Sequence, residues 1–373
     1  MIYLDNASTT ATDPRVIEFM QPYFFELYGN ASGRYSLGFK SQKAIKDARE
    51  KAAALINAEP DEIVFTSGGT ESNNTVLSKG LWDRIVTVKT EHKSVLKSAE
   101  ACRTPNTSVE YLTPDSDGYI SSGSVAEYLN TVGSKRILSV MMVNNETGTS
   151  QPVKELTQLA HEKGYLFHTD AVQAAGHTPI DVKELGVDFL SVSAHKFYGP
   201  KGIGFLYIKR GVKIPPFILG GEQERGMRSG TENVPAIAGL GEACGILLKE
   251  LDKNCDKEKE IGRYLKERLS RIPGSKQNGT GDRILNYSFK GINGQSLAIR
   301  LDMEGICVST GAACSSGKDE RSHVLTAMGL IGEADSSLRI SIGKNNTIEE
   351  AALASEKIEE LVDELRQLNS FGE

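Results

Sequence analysis

The chain has 373 residues, with 43 Lys and Arg against 49 Asp and Glu, a net charge of −6, and 39% hydrophobic residues. At about 100–200 residues per domain this length predicts two domains with a core that needs neither disulfides nor a structural metal, and it excludes a disordered chain or a collagen-like repeat. Basic residues are interleaved with acids, which speaks against nucleic acid, and no window approaches the ~18 apolar residues of a membrane span. The start, Met1 to Asp5, lacks the pattern of a secretory signal, so a cytoplasmic protein acting on a small substrate or a protein partner is expected.

A short extended leader comes first, and Asp13-Pro14 then reads as a helix start, with a capping side chain before a proline whose missing N–H costs nothing in the first turn. From about residue 60 to 210, β-rich runs alternate with helical patterns. The runs 62–66, 84–88, 109–112, 136–143, 165–169, 189–192 and 204–208 read as strands, several apolar enough to be covered on both faces. Helical stretches such as 153–163 lie between them, which predicts a mostly parallel sheet between helices. Residues 233–272 are almost continuously helical, as in a helix joining two domains. After Pro273-Gly274 come strands at 284–289, 306–309 and 338–342, with helices from 294, 322 and 347, a smaller α+β domain. The expected division is 13–250 for the large domain, and 1–12 with 251–373 for the small one.

Ser193-Ala194-His195-Lys196-Phe197-Tyr198-Gly199-Pro200-Lys201-Gly202 places a lysine just past a buried strand and before a Gly/Pro turn. Desolvated there, Lys196 becomes a Schiff-base nucleophile; taken alone, it reads as a surface lysine at a loop, and only its context points to the nucleophile. His168-Thr169-Asp170-Ala171-Val172-Gln173 ends another strand with an acid and an amide three residues apart. A carboxylate in that place can keep a pyridinium nitrogen protonated and make pyridoxal 5'-phosphate (PLP) an electron sink, or simply cap a helix. In Thr66-Ser67-Gly68-Gly69-Thr70-Glu71-Ser72-Asn73-Asn74 a strand runs through two glycines into a helix, a phosphate seat or an ordinary tight turn. His92 follows the 84–88 strand, where it could stack on a ligand ring or cap a helix. His161, His177 and His323 have no such context and read as solvated or structural.

Together these elements resemble the fold-type I PLP enzymes, and specifically the NifS/IscS-like cysteine desulfurases of the class V aminotransferase group. The resemblance covers nearly the whole chain. It begins at Tyr3-Leu4-Asp5-Asn6-Ala7-Ser8-Thr9-Thr10, passes through Glu91-His92-Lys93, Val143-Asn144-Asn145-Glu146-Thr147-Gly148 and the segments above, and reaches Arg225-Gly226-Met227-Arg228-Ser229-Gly230-Thr231-Glu232-Asn233. It implies Lys196 as the Schiff-base lysine, Asp170 as partner of the pyridine nitrogen, Gln173 as donor to the ring oxygen and His92 as a stacking, proton-transferring group. Asn145 would help hold cofactor and substrate. Gly69, Thr70, Ser193 and His195 would hold the phosphate, with Thr231 reaching in from the second subunit of a homodimer. Arg339, aided by Asn30, would grip the substrate carboxylate, for which an arginine fork is suited.

Five cysteines, Cys102, Cys244, Cys255, Cys307 and Cys314, form no CxxC pair, which argues against a disulfide framework or zinc cage and leaves room for one reactive thiol. Cys314, in Val308-Ser309-Thr310-Gly311-Ala312-Ala313-Cys314-Ser315-Ser316-Gly317, sits among small residues, as an accessible, swinging sulfur carrier requires. The segment resembles the family's persulfide-forming loop, of the subgroup with a long mobile loop, while Cys307 is expected to be buried on the adjoining strand. Two stretches depart from the family pattern. Ala31 and Tyr35 stand where a proline and a histidine are usual, and Glu222 stands for a glycine.

The resemblance implies conversion of L-cysteine to L-alanine with persulfide formation on Cys314, supplying an iron–sulfur scaffold or a tRNA-thiolation protein. A selenocysteine lyase or class V aminotransferase, and a catalytically silent sulfur-assembly scaffold, are the alternatives. No metal, nucleic acid or membrane is implied.

Overall fold

The computed structural model describes residues 1–129, 133–310 and 321–370. Among them, seven strands form one sheet in the order Ile63–Thr66, Gly204–Ile208, Phe189–Ser193, Leu166–Asp170, Arg136–Ser139, Arg84–Val88, Ser108–Leu112. The last five run parallel, and Gly204–Ile208 is antiparallel to both its neighbours. Alternate side chains leave opposite faces of a strand, so each strand feeds two cores. Val86, Leu138 and Leu190 pack on one side with the helices Ser36–Leu55 and Val234–Leu269, whereas Ile85, Ile137 and Phe189 pack on the other with Trp82, Val95 and Ala99. That double coverage is why the strand sequences read as apolar runs rather than alternations.

The 136–143 run is shorter as a strand than expected. Beyond Ser139 the chain still bonds to its parallel neighbour, with Val140 N–H donating to His168 O and Met142 N–H to Asp170 O. On its other side, Met141 N–H donates to the Glu91 carboxylate instead of to a strand. The 306–309 run likewise ends as a strand at Cys307, with Ser309 making only an isolated bridge to Arg339.

A second apolar core lies around the antiparallel strands Ser337–Ser341, Ile284–Phe289 and Ser275–Gln277, packed by Gly294–Met303 and Ile348–Ser370. Helix Val234–Leu269 enters both cores, through Ile237, Leu240 and Leu247 at its start and Ile261, Leu265 and Leu269 at its end. The leader also ties the two together. Tyr3 pairs in parallel with Cys307, fully buried Leu4 joins the second core at a gain of about 2 kcal/mol, and Thr10 N–H donates to His195 O beside the large sheet. Strand alternation corrects the expectation for Cys307: Ile306 points into the core, and Cys307 faces the other way, half-buried near Asp302. No described helix is long and apolar enough to cross a membrane.

Candidate active site

The carboxyl ends of the parallel strands, where open α/β sheets place their ligands, meet a cavity of about 460 Å³ lined by Gly69, His92, Asn145, Asp170, Lys196 and Arg339 among others. Lys196 ends the short turn Ala194–Lys196 that follows strand Phe189–Ser193. Its Nζ donates to Ala7 O at 2.6 Å and Ser8 O at 2.7 Å, so the leader fixes where the amine stands.

Asp170 closes its strand at the cavity floor, 5% exposed. Its Oδ1 accepts from Val172 N–H at 2.9 Å and its Oδ2 from Asn73 Nδ2 at 2.7 Å. The same Asn73 amide donates to Ser94 Oγ at 2.9 Å, and Ser94 Oγ lies 2.7 Å from His92 Nδ1. Because Ser94 N–H also donates to Nδ1, that nitrogen is an acceptor, and the neutral imidazole carries its hydrogen on Nε2. Burial pushes His92 below its ordinary value, Asp170 opposes the shift, and Lys196, His323 and Lys93 add to it.

At one end of the cavity strand Ile63–Thr66 turns through Gly68, φ +145°, into helix Gly69–Val76. A Cβ at Gly69 would stand 2.5 Å from Val172 Cγ2, so glycine lets this turn approach the floor, and Gly69 and Thr70, in the helix's first turn where N–H groups have no intrahelical acceptor, line the cavity. Ser193 and His195 line the same wall. His195 is pushed down to about 4, by burial first and then by Lys196 and Lys201. A buried carboxylate, an amine and a cradle of backbone N–H groups are the donor set a pyridine ring with a phosphate arm requires, so the residues fit PLP.

Arg339 reaches the cavity from strand Ser337–Ser341. Its Nη1 donates to Asn145 O at 2.9 Å and its Nη2 to Asp5 Oδ1 at 2.8 Å and Ser8 Oγ at 2.6 Å. Its Nε is buried and has no acceptor among the described residues, so this guanidinium still has a hydrogen bond to make. Gln173 Nε2 donates to Ala7 O at 2.8 Å, and Arg283 Nη2 donates to Gln173 Oε1 at 3.2 Å.

Not every expected residue meets here. Asn30 is exposed and does not line the cavity; its Oδ1 accepts from Ser32 N–H, while Tyr35 curls over Gly33 and accepts from Asn30 N–H. Thr231 is exposed and likewise outside the lining. It follows a loop in which Glu224 and Arg225 take left-handed backbone (φ +48° and +58°), held by the Glu224 carboxylate on Arg49 and Phe65 N–H. Cys314 lies outside the described residues. Conversely, Asn73 was hidden inside a motif read for its neighbours and Ser94 stands just past another, while Ala7 and Ser8 act through backbone carbonyls that carry no sequence signal. His177 is buried rather than solvated, between Glu258 and the Lys196 carbonyl.

The chain matches the family described as Aminotransferase class-V over residues 2–353. It is 43% identical to the cysteine desulfurase IscS of Clostridium botulinum strain Hall, covering 100% of this chain and 97% of that relative. Among solved structures, a NifS-like protein superposes with TM-score 0.90 at 37% identity, covering 98% of this chain and 100% of the other. SspA in complex with cysteine superposes with TM-score 0.82 at 32% identity, covering 93% and 100%.

Proposed function

The chain belongs to the class-V aminotransferase family, and from that premise we propose that it is a PLP-dependent cysteine desulfurase whose chemistry runs in the cavity between Lys196, Asp170 and Arg339. The observation that carries the assignment of residues is the convergence of amine, buried carboxylate and glycine turn on one cavity. PLP, when bound, supplies an electron sink conjugated to the substrate amine.

The residues of the chain do the rest. Lys196 is the point of covalent attachment and, once released, moves the proton at the substrate α-carbon. Asp170 holds a proton at the ring nitrogen, kept in place by Asn73 and Val172 N–H. Neutral His92, with its hydrogen on Nε2, stacks and transfers protons. The glycine turn with Thr70, Ser193 and His195 seats the phosphate. The Arg339 fork orients the substrate carboxylate, with Asn145 beside it. Gln173 keeps one amide hydrogen on Ala7 O and has a second for the ring oxygen.

Cys314 supplies the thiolate that attacks the substrate sulfur. The S–S bond forms as the C–S bond breaks, and the electron pair of that bond stays with the three-carbon fragment, which takes up protons and leaves as L-alanine. The persulfide is then passed to an acceptor such as an iron–sulfur scaffold. A homodimer, with Thr231 completing the partner's phosphate seat, is supported by exposed Phe24, Phe25, Tyr28 and Phe39 near the amino terminus, an apolar surface that a second copy would cover. The two apolar cores support domains at 13–250, and at 1–12 with 251–373.

The test is turnover of L-cysteine by the PLP-loaded protein with a thiol reductant. Alanine and sulfide in equal amounts are expected; ketoacid-dependent transamination without sulfide would replace this reading with an aminotransferase.

A further inference from the structure

Lys196 and Gln173 are both anchored from behind, away from the cavity, by one cluster of charged side chains. Three residues past Gln173 the chain turns through Gly176, φ +82°, where a Cβ would stand 2.4 Å from Phe197 Cβ. Glycine therefore allows this turn to press against the Lys196-Phe197 segment. The next residue, His177, has a side chain only 3% exposed. Its Nε2 lies 2.9 Å from Lys196 O and its Nδ1 2.9 Å from Glu258 Oε2. A peptide carbonyl can only accept, so Nε2 must carry a hydrogen whichever partner holds the proton shared between Nδ1 and the carboxylate. The ring is thus a fixed strut from Glu258 to the lysine backbone.

Glu258 stands on helix Val234–Leu269, the element that enters both cores. Around it lie Arg283, Tyr198 and Cys255, each of which it acts on electrostatically, and Cys255 Sγ donates to His177 O at 3.0 Å. Arg283 Nη2 donates to both Gln173 O and Gln173 Oε1, at 3.0 and 3.2 Å. Glu258 Oε1 and Arg283 Nη1 are each sealed from solvent without a hydrogen-bond partner among the described residues. Two buried polar atoms without hydrogen-bond partners are costly to keep inside a fold. Packing alone gives no reason for a carboxylate and an imidazole at that place.

We propose that His177 and Glu258 form a positioning dyad that fixes the Lys196 carbonyl, with Arg283 tying Gln173 to the same cluster. The long helix thereby sets where the lysine amine and the Gln173 amide stand relative to the cofactor. The inference rests on Lys196 as the attachment lysine. Neither His177 nor Glu258 touches cofactor or substrate; both act through Lys196.

The test uses full-length PLP-loaded protein and reads cofactor retention and colour rather than turnover. Glu258→Leu and His177→Phe remove the strut while keeping an apolar volume; Glu258→Gln keeps an acceptor for Nδ1–H. Both strut-breaking variants are expected to release PLP about tenfold faster on dilution, the size of one hydrogen bond to a charged group. They are also expected to move the pH midpoint of the visible absorption band by roughly half a unit or more. Glu258→Gln should stay within about twofold of the parent. Should a strut-breaking variant not fold, His177→Gln, which keeps a donor for Lys196 O but no partner at Glu258, reads the same two quantities and should show them intermediate. Parent-like release and midpoint in the strut-breaking variants, or equal loss in Glu258→Gln, would overturn the dyad. Borohydride labelling of the parent at a lysine other than Lys196 would instead overturn the reading on which it rests.

Discussion

Asp170 and His92 are joined through a single amide: Asn73 Nδ2 donates to Asp170 Oδ2 at 2.7 Å and to Ser94 Oγ at 2.9 Å, and Ser94 Oγ meets His92 Nδ1 at 2.7 Å. The group assigned to the ring nitrogen and the group assigned to the ring face are thus held in register by Asn73 and Ser94. Asn73→Ala leaves the Asp170 carboxylate with only Val172 N–H, and is expected to lower kcat by about tenfold with a visible spectrum shifted from that of the parent. Ser94→Ala leaves His92 its backbone donor and should cost about threefold or less. Steady-state kinetics beside absorption spectra check both.

Arg339 is clamped between Asn145 O, Asp5 and Ser8, and its Nε has no acceptor among the described residues. A lysine keeps the charge but cannot present two parallel donors, so Arg339→Lys should raise KM for L-cysteine by about tenfold or more, with kcat less affected. An unchanged KM would place the substrate carboxylate elsewhere.

His168 is fully buried between Ser139 Oγ and Ser191 Oγ, and desolvation lowers it from 6.5 to about 3. The unfolded chain therefore binds this proton first. Stability is intact above about pH 6.5 and falls as pH drops toward 3, with a slope from this residue of about 1.4 kcal/mol per pH unit. In His168→Gln the slope of unfolding free energy against pH over pH 4–6 should be shallower by that amount, measured by denaturant titration, whatever the substitution costs at neutral pH.

The strands and the long helix were legible because burial on both faces, or a sustained helical period, leaves a direct mark on residue type. The motif-bearing side chains Asp170, Lys196 and His92 were legible for a related reason: Asp170 is the last residue of its strand and Lys196 and His92 follow within a few residues of theirs, where the change from apolar to polar is abrupt. The rest was hidden where function passes through backbone atoms or distant chain. Nothing in Ala7 or Ser8 announces that their carbonyls hold Lys196 Nζ. His177 and Glu258 are 81 residues apart and meet only because the long helix crosses behind the sheet. Asn30 shows the opposite case, a motif position whose side chain turns back on Ser32 N–H and stays outside the cavity.

The cavity accounts for cofactor and substrate handling, but a desulfurase also needs a thiol nucleophile, the role proposed for Cys314. Cys314→Ser should retain PLP and bind cysteine while sulfide production collapses. Cys307→Ser should keep activity, since that thiol is half-buried beside Asp302, and desolvation first, then Asp302 and Asp5, raise it above the usual thiol range, away from the reactive thiolate.

The most direct measurement is peptide mass spectrometry of the PLP-loaded protein after a single turnover of L-cysteine without reductant. One added sulfur atom is expected on the peptide containing Cys314, in step with alanine released. Alanine release with the added sulfur on the Cys307 peptide, or with no sulfur retained on the protein, would contradict it.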